Sequence, residues 1–493
     1  MSPDFDVVVL GGGAAGLTAS GTCANLGMRT MLIERHRLGG DCTWTGCVPS
    51  KAILHAAQLR ASSEDYQKRF AKGDAKVAAA DFAAIMADVH TIREEIYEDA
   101  DAPENLPRFG IDVVSGDSRF VDAHTLEIEQ DGETRRVTFR KAIICTGGRA
   151  APPPIPGLDE TPHLTNETLF EIDRQPEHLV IVGGGPIGCE MGQAFARLGS
   201  RVTVVDRADR ILGKDDADNA RILQSELEAD GVVFLLGADV ERASKTESGI
   251  ELTISVDGET HQLEGDRLLI ATGRKPNIET LNLDAAGVAY TKRGVTVNDA
   301  CRTSQRHIFA AGDCTGEYAL THMSEHMGKT AATNAAFGFG ASIDRTGITW
   351  TTFTSPEVAQ LGKTADELAN DGTSFVTYTF PYTKVDRAVT EHAATGQIKL
   401  HTTKWTGKIL GASIVGERAG EIASVYAVAM KGGVSAKTIS DTIFAYPTYG
   451  LAARRAADQY YVQKQYPIAI EAIKRVFGYR GTTPPPPDPN RVL

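Results

Sequence analysis

Cys42 and Cys47 stand with four residues between them in Leu38-Gly-Gly-Asp-Cys-Thr-Trp-Thr-Gly-Cys-Val-Pro-Ser-Lys51. A pair at this spacing is able to staple the chain, bind a metal, or shuttle two electrons as dithiol and disulfide. Cα atoms five positions apart in an ideal helix lie too far apart to bridge easily, so a disulfide here requires an irregular turn, which Gly39, Gly40 and Gly46 permit. Pro49 suits the first turn of a following helix. A helix N-terminus favours the thiolate and lowers a thiol's pKa. What lies upstream of the pair decides among these chemistries.

Two glycine-rich turns lie at matched spacing. Asp6-Val-Val-Val-Leu-Gly-Gly-Gly-Ala-Ala-Gly16 is a short β-rich run opening into Gly11-x-Gly13-x-x-Gly16, followed by a helical stretch and a strand ending Thr30-Met-Leu-Ile-Glu34. In such a βαβ unit the first glycine allows a tight turn and the second lets the backbone approach a pyrophosphate. The third lets helix and strand pack closely, while the acid takes a ribose 2′-hydroxyl. The pattern returns as Leu179-Val-Ile-Val-Gly-Gly-Gly-Pro-Ile-Gly188, with Gly183, Gly185 and Gly188 in register and Val202-Thr-Val-Val-Asp206 closing the unit. The acid follows the first glycine by 23 residues in both copies. Two dinucleotides imply an electron relay, one delivering hydride and the other accepting it and passing electrons on. Asp206 favours NADH over NADPH, because a carboxylate repels a 2′-phosphate, although Arg207 and Arg210 stand near enough in sequence to accommodate one.

On these residues the chain resembles the flavin-dependent pyridine nucleotide–disulfide oxidoreductases, the group containing glutathione reductase, lipoamide dehydrogenase and mercuric reductase. Ile144-Cys-Thr-Gly-Gly148 and Ile270-Ala-Thr-Gly-Arg-Lys-Pro-Asn277 look like the family's crossover segments. Ile308-Phe-Ala-Ala-Gly-Asp-Cys314 looks like its FAD-contacting run, and Phe353-Thr-Ser-Pro-Glu-Val-Ala359 like the start of its interface domain. The implied fold is α/β, with two Rossmann-like domains for FAD and NAD(P) and a C-terminal α+β domain through which members dimerise. The FAD domain is expected at 1–150 and 275–345, the NAD(P) domain at 151–274, the interface domain at 346–470 and a Pro-rich tail at 481–493. Ala151-Pro-Pro-Pro-Ile-Pro-Gly157 agrees as a stiff linker, and Pro484-Pro-Pro-Pro-Asp-Pro489 cannot join a sheet. The stretch from Ala52 to Asn105 reads as paired helices.

The resemblance also implies roles. Electrons pass from NADH or NADPH to FAD, then to a Cys42–Cys47 disulfide and on to a thiol-reactive acceptor. Cys47 is the flavin-facing thiolate and Cys42 the exposed thiol that meets the acceptor. Lys51 stands near the reactive flavin nitrogen with Glu190 as its ion-pair partner. Gly40, Thr146, Gly147 and Asp313 join the first cradle in holding FAD, and Gly273 belongs to the second crossover. The departure comes near the C-terminus, where the family's disulfide reductases carry His-Pro-Thr-x-x-Glu. Here the run is Ala445-Tyr-Pro-Thr-Tyr-Gly-Leu451, with Tyr446 for the histidine and Leu451 for the glutamate. A phenol of pKa about 10 is a poor proton shuttle beside an imidazole near 6.5. Mercuric reductases carry a tyrosine at this place, and Val385-Asp-Arg-Ala388 and Gly396-Gln-Ile-Lys399 look like that branch. No cysteine follows Cys314, so the C-terminal vicinal pair of that branch is lacking, and no N-terminal metal-binding module precedes the first cradle.

Asp41, Trp44 and Thr45 replace the commoner Thr, Asn and Val. Trp44 either stacks on a substrate or covers the disulfide. His322 and His326 have the i, i+4 spacing of metal ligands but no third ligand in view, so packing is expected and no metal site. Tyr449 lines the Tyr446 cleft or packs at an interface, where Tyr460 and Tyr461 are also expected.

Composition narrows the partners. The 493 residues are 42% hydrophobic, enough for several cores, and the net charge of −13 argues against nucleic acid. No apolar run reaches the roughly 18 residues of a membrane span, and seven scattered cysteines are no secreted disulfide framework. A cytoplasmic homodimer reducing a small-molecule or metal-ion acceptor is the leading expectation. A diaphorase or transhydrogenase that bypasses the cysteines to reduce a quinone or second nucleotide is one alternative. A slowly turning redox-sensing flavoprotein, with its Pro-rich tail as partner ligand, is another.

Overall fold

Phe5-Asp-Val-Val-Val-Leu10 is apolar at all but one position, the composition of a strand covered on both faces. It forms β1 (Phe5–Leu10), and Val7 to Leu10 are fully buried. The computed structural model describes residues 2–71, 77–338, 340–462 and 467–482, and the proline run at 484–489 lies outside them. β1 runs parallel to β2 (Thr30–Glu34), which runs parallel to β3 (Ile111–Ser115). A meander follows, β4 (Asp117–Asp122), β5 (Thr125–Gln130) and β6 (Glu133–Ile144). β6 serves two partners: its first half pairs antiparallel with β5, and from Phe139 onward it lies parallel to β1. The strand Ile308–Ala310 adds to β6 in parallel. The order is β3-β2-β1-β6-β5-β4, so the chain turns left and right from β1. Open parallel sheets bind ligands at such a switch point, beyond the carboxyl ends of the strands. Gly11–Gly16, Cys145–Gly148 and Gly312–Asp313 all issue there.

Helices cover this sheet and carry the cysteines. α1 (Ala14–Asn25) packs on the Thr321–Phe337 helix, and Gly328 allows the close crossing, since a Cβ there sits 2.4 Å from the Ala15 carbonyl oxygen. α2 (Gly40–Trp44) is one turn, and α3 (Cys47–Phe70) packs along α4 (Phe82–Ile96) as the expected helix pair. Asp81 caps α4 by accepting the Ala84 N–H at 3.1 Å.

The chain divides into two compact units, Met1–Gly183 with Ala194–Thr203 and Asp239–Asp344, and Gly184–Gln193 with Val204–Ala238 and Arg345–Leu493. The first contains the sheet above. The second contains an antiparallel five-stranded sheet in the order Thr349–Thr352, Glu357–Gly362, Ile409–Gly416, Gln397–Thr402 and Val376–Pro381. Its helices Ala419–Lys431 and Gly450–Val462 close a core of Tyr378, Phe380, Ile398, Leu400, Ile414 and Tyr426. Tyr460, expected at an interface, is instead part of this core, because its hydroxyl reaches the Trp405 carbonyl oxygen at 2.6 Å while its ring packs edge-on to Tyr378. Tyr449 is buried there too, its hydroxyl donating to Glu391 at 2.8 Å.

Glu357 makes the stability of this unit fall as pH rises towards neutrality. Burial pushes its carboxyl up to about 7, against the N–H that Gly420 donates at 2.9 Å. A carboxyl whose folded pKa is raised contributes stability below its unfolded value and loses it as pH rises through the folded value. Unfolding midpoints of the wild type are therefore expected to fall as pH rises from 4.5 to about 7 and to level off above that, and those of Glu357→Gln to stay flatter across the same range. Equal slopes for the two proteins contradict the assignment.

Candidate active site

The Cys42–Cys47 turn is irregular, as a bridging pair requires. Gly39 and Gly40 adopt φ of 92° and 57° to start α2 on the turn before Cys42. Thr45 and Gly46 break the helix, and α3 begins at Cys47 with Pro49 in its first turn. The thiols hydrogen-bond one another and neither is in a disulfide. Cys47 is exposed and Cys42 half-buried. α2 is pressed against α3 and α4, whereas Cys47 opens α3 at its free end, with its Sγ 3.3 Å from Thr321 Oγ1. The hydrogen bond that the Cys42 thiol donates to Cys47, then burial, pushes the Cys42 thiol far above its ordinary range.

Trp44 holds this turn from behind. Its indole is 9% exposed, donates Nε1–H to the Leu38 carbonyl at 2.7 Å, and lies 5.0 Å from the Tyr97 ring. Arg37 and Arg93 sit over the ring at 4.5 and 5.4 Å. Arg93 also donates to the Trp44 carbonyl at 3.0 Å and to Glu171 at 2.8 Å. Of the two expectations for Trp44, covering the cysteine turn is the one the packing fits.

The glycines separate what the fold needs from what a ligand needs. A Cβ at Gly11 falls 2.3 Å from the Cys145 carbonyl oxygen, at Gly16 1.8 Å from the Gly11 oxygen, and at Gly183 2.5 Å from Thr272 Cγ2. These positions are glycine because the protein packs there. Gly13 is different: its φ is −81° and the nearest atom to a Cβ is Gly40 Cα at 3.7 Å. Nothing lies within 4 Å of a Cβ at Gly185. No neighbour in the fold demands glycine at either middle position, which fits a cradle shaped for a pyrophosphate. Glu34 accepts the Gly12 N–H at 2.7 Å and the His36 N–H at 2.8 Å. Asp206 repeats this, accepting the Gly184 N–H at 2.6 Å and the Ala208 N–H at 2.8 Å. Each acid is fixed beside its loop with lone pairs left for ribose hydroxyls. The residues present fit two dinucleotides.

The crossover segments are zipped together. Gly148–Ala150 pairs antiparallel with Arg274–Pro276, Thr146 Oγ1 donates to the Asn277 carbonyl at 2.6 Å, and the Asn277 N–H returns to the Gly147 carbonyl at 3.0 Å. Gly147 and Gly273 take φ of 66° and 77°. Arg274, which sequence reasoning passed over, donates to both Asp41 and Asp313, the latter at 3.2 Å. Burial still holds the Asp313 carboxyl above its usual value.

The remaining candidates are placed as follows. Lys51, on α3, donates to Ser50 Oγ at 3.3 Å. Glu190, in the second unit, is 5% exposed and accepts the Phe353 N–H at 2.9 Å. Gly188 is buried in the helix Pro186–Leu198. Arg210 turns to the Leu212, Gly213 and Asp215 carbonyls at 3.0, 2.7 and 3.1 Å, so its guanidinium caps a loop and is no longer available for a 2′-phosphate in this arrangement. Tyr446 is 68% exposed, and its hydrogen bond to the Asp386 carboxylate raises the phenol's pKa further. Leu451 is buried. His326 Nε2 accepts the Asp344 N–H at 3.1 Å. Among the described residues no group of three or more His, Cys, Asp or Glu is placed to hold a metal ion, and no helix is long and apolar enough to cross a membrane. Thr321 escaped sequence reasoning because no motif marks a hydroxyl that meets Cys47 from 274 residues away.

Comparison with known proteins agrees with this architecture. Residues 5–328 match the family described as pyridine nucleotide-disulphide oxidoreductase, and residues 348–457 match its dimerisation domain. A mercuric reductase from Lysinibacillus sphaericus is 32% identical over 92% of this chain and 82% of its own length. A dihydrolipoyl dehydrogenase from Geobacillus stearothermophilus is 31% identical over 92% of this chain and 96% of its own. Among solved structures, the Cu(II) complex of the HOCl-induced flavoprotein disulfide reductase RclA from Escherichia coli has a TM-score of 0.83 at 28% identity, covering 93% of this chain and all of that one. LpdA from Mycobacterium tuberculosis also has a TM-score of 0.83 at 28% identity, covering 92% of this chain and 99% of that one. The chain belongs to the pyridine nucleotide–disulphide oxidoreductases, enzymes that use FAD and NAD(P)H to work a redox-active disulfide.

Proposed function

We propose that the enzyme is a cytoplasmic homodimer that passes electrons from NADH through FAD and the Cys42–Cys47 pair to a thiophilic metal ion, in the manner of a mercuric reductase. Tyr446 carries this reading. Its phenol is tied to Asp386 and raised above its ordinary pKa, so it keeps its proton through the neutral range and does not shuttle one to a departing sulfur. Leu451 offers no carboxylate in the glutamate's place. Reducing a metal ion held by sulfur needs no such proton: NADH and a divalent ion give NAD⁺, the neutral metal and one proton. Mercuric reductases among the relatives, and the Cu(II) complex among the similar structures, support the choice.

Bound FAD supplies a two-electron station between nicotinamide and disulfide. The chain's own residues hold and gate it. Gly11, Gly13, Gly16, Glu34, Gly40, Thr146, Gly147 and Asp313 form its cradle in a domain of residues 1–150 and 275–345. Gly183, Gly185, Gly188, Asp206 and Gly273 serve the nicotinamide dinucleotide in residues 151–274. Asp206, with Arg210 engaged elsewhere, favours NADH. Lys51 and Glu190 serve the reacting ring, Cys47 is the flavin-facing thiolate, and Cys42 meets the acceptor. Residues 346–470 form the dimer contact.

NADH consumption with mercuric ion, oxidised glutathione, lipoamide and a quinone tests the reading. The metal ion is expected to exceed each disulfide in kcat/KM by about a hundredfold, the contribution of a positioned general acid that only the disulfides require. Comparable or faster turnover of either disulfide overturns it.

A further inference from the structure

Two carboxylates stand beside the dithiol, and only one is compensated. Asp41, next to Cys42 in the chain, is bonded by Arg274. Glu325 is exposed and has no hydrogen bond or ion pair among the described residues. Its position follows from helix geometry: Thr321 and Glu325 are four residues apart on the Thr321–Phe337 helix and so share one face, one turn apart. Thr321 is the residue whose hydroxyl meets Cys47 Sγ at 3.3 Å and also bonds the Cys42 thiol. The turn above the two sulfurs therefore carries an unpaired negative charge.

We infer that Glu325 is a specificity-determining residue, a fixed carboxylate on the approach to Cys42 that draws cationic acceptors to the dithiol and turns anionic ones away. The Cys42 thiol feels this charge, which contributes to its raised pKa. A full charge within about two helix turns of the reacting sulfur, in a half-solvated site, changes encounter with a charged partner by roughly tenfold. Glutathione disulfide, with its carboxylates, meets repulsion, while a metal dication meets attraction. This inference rests on the proposed dithiol reading and names the charge class of its acceptor.

The test uses thiol reagents of opposite charge and needs no knowledge of the physiological acceptor. The NADH-reduced holoenzyme is labelled with a maleimide bearing a trimethylammonium group or with one bearing a sulfonate, which form thioethers that Cys47 cannot expel, and modification of Cys42 is timed by mass spectrometry. The wild type is expected to react faster with the cation, Glu325→Gln to lower the cation-to-anion ratio about tenfold, and Glu325→Lys to invert it. NADH-to-ferricyanide turnover, which bypasses the sulfurs, reports that each variant is intact. A ratio unchanged in both variants overturns the inference alone. Cys42 that takes no label after NADH reduction overturns the dithiol reading on which it rests.

Discussion

Cys42→Ser is expected to lose turnover with the physiological acceptor by about a thousandfold or more, while NADH still reduces the variant. Loss on this scale follows from chemistry: a serine hydroxyl neither accepts electrons through a disulfide nor binds a soft metal as a thiolate does. Cys47 is retained in that variant, still 3.3 Å from the Thr321 hydroxyl at the start of α3. Cys47→Ser is expected to lose acceptor turnover equally, and with it any spectral sign of a thiolate beside the flavin. Rapid turnover by Cys42→Ser instead supports direct transfer from the flavin to a quinone or second nucleotide.

Gly13→Val and Gly11→Ala are expected to fail in opposite ways. At Gly13 a side chain meets only Gly40 Cα at 3.7 Å, and the backbone is one that any residue adopts. The variant should fold with a melting temperature close to that of the wild-type apoprotein but purify without flavin, since the valine fills space left for a pyrophosphate. At Gly11 the Cβ runs into the Cys145 carbonyl oxygen at 2.3 Å, at φ of 100°. Strain and overpacking there cost roughly 1–3 kcal/mol each, so the apoprotein itself is destabilised. The flavin-to-protein absorbance ratio and the apoprotein melting curve separate the two. A Gly13→Val protein that retains full flavin contradicts the cradle assignment.

The sequence was most informative where the chain itself sets the distances. The 23-residue interval from first glycine to acid closes the same pair of hydrogen bonds in both copies, Gly12 to Glu34 and Gly184 to Asp206, because a strand, a turn and a helix of fixed rise bring those residues back together. The apolar run at β1 and the glycines around the cysteine turn were legible for the same local reason. Contacts across long intervals were not. Arg274 reaches Asp41 over 233 residues and Thr321 meets Cys47 over 274, and neither has a spacing that marks it. Arg210 stands near enough in sequence to accommodate a 2′-phosphate, and its turn toward three carbonyls carries no sequence mark.

The central claim is electronic contact between the Cys42–Cys47 pair and the flavin, and anaerobic titration of the oxidised holoenzyme with NADH tests it most directly. A long-wavelength charge-transfer band that grows to completion at two electrons per flavin, before the flavin bleaches, is the predicted result. Bleaching of the flavin by the first two electrons, with no such band and no new reactive thiols, contradicts it.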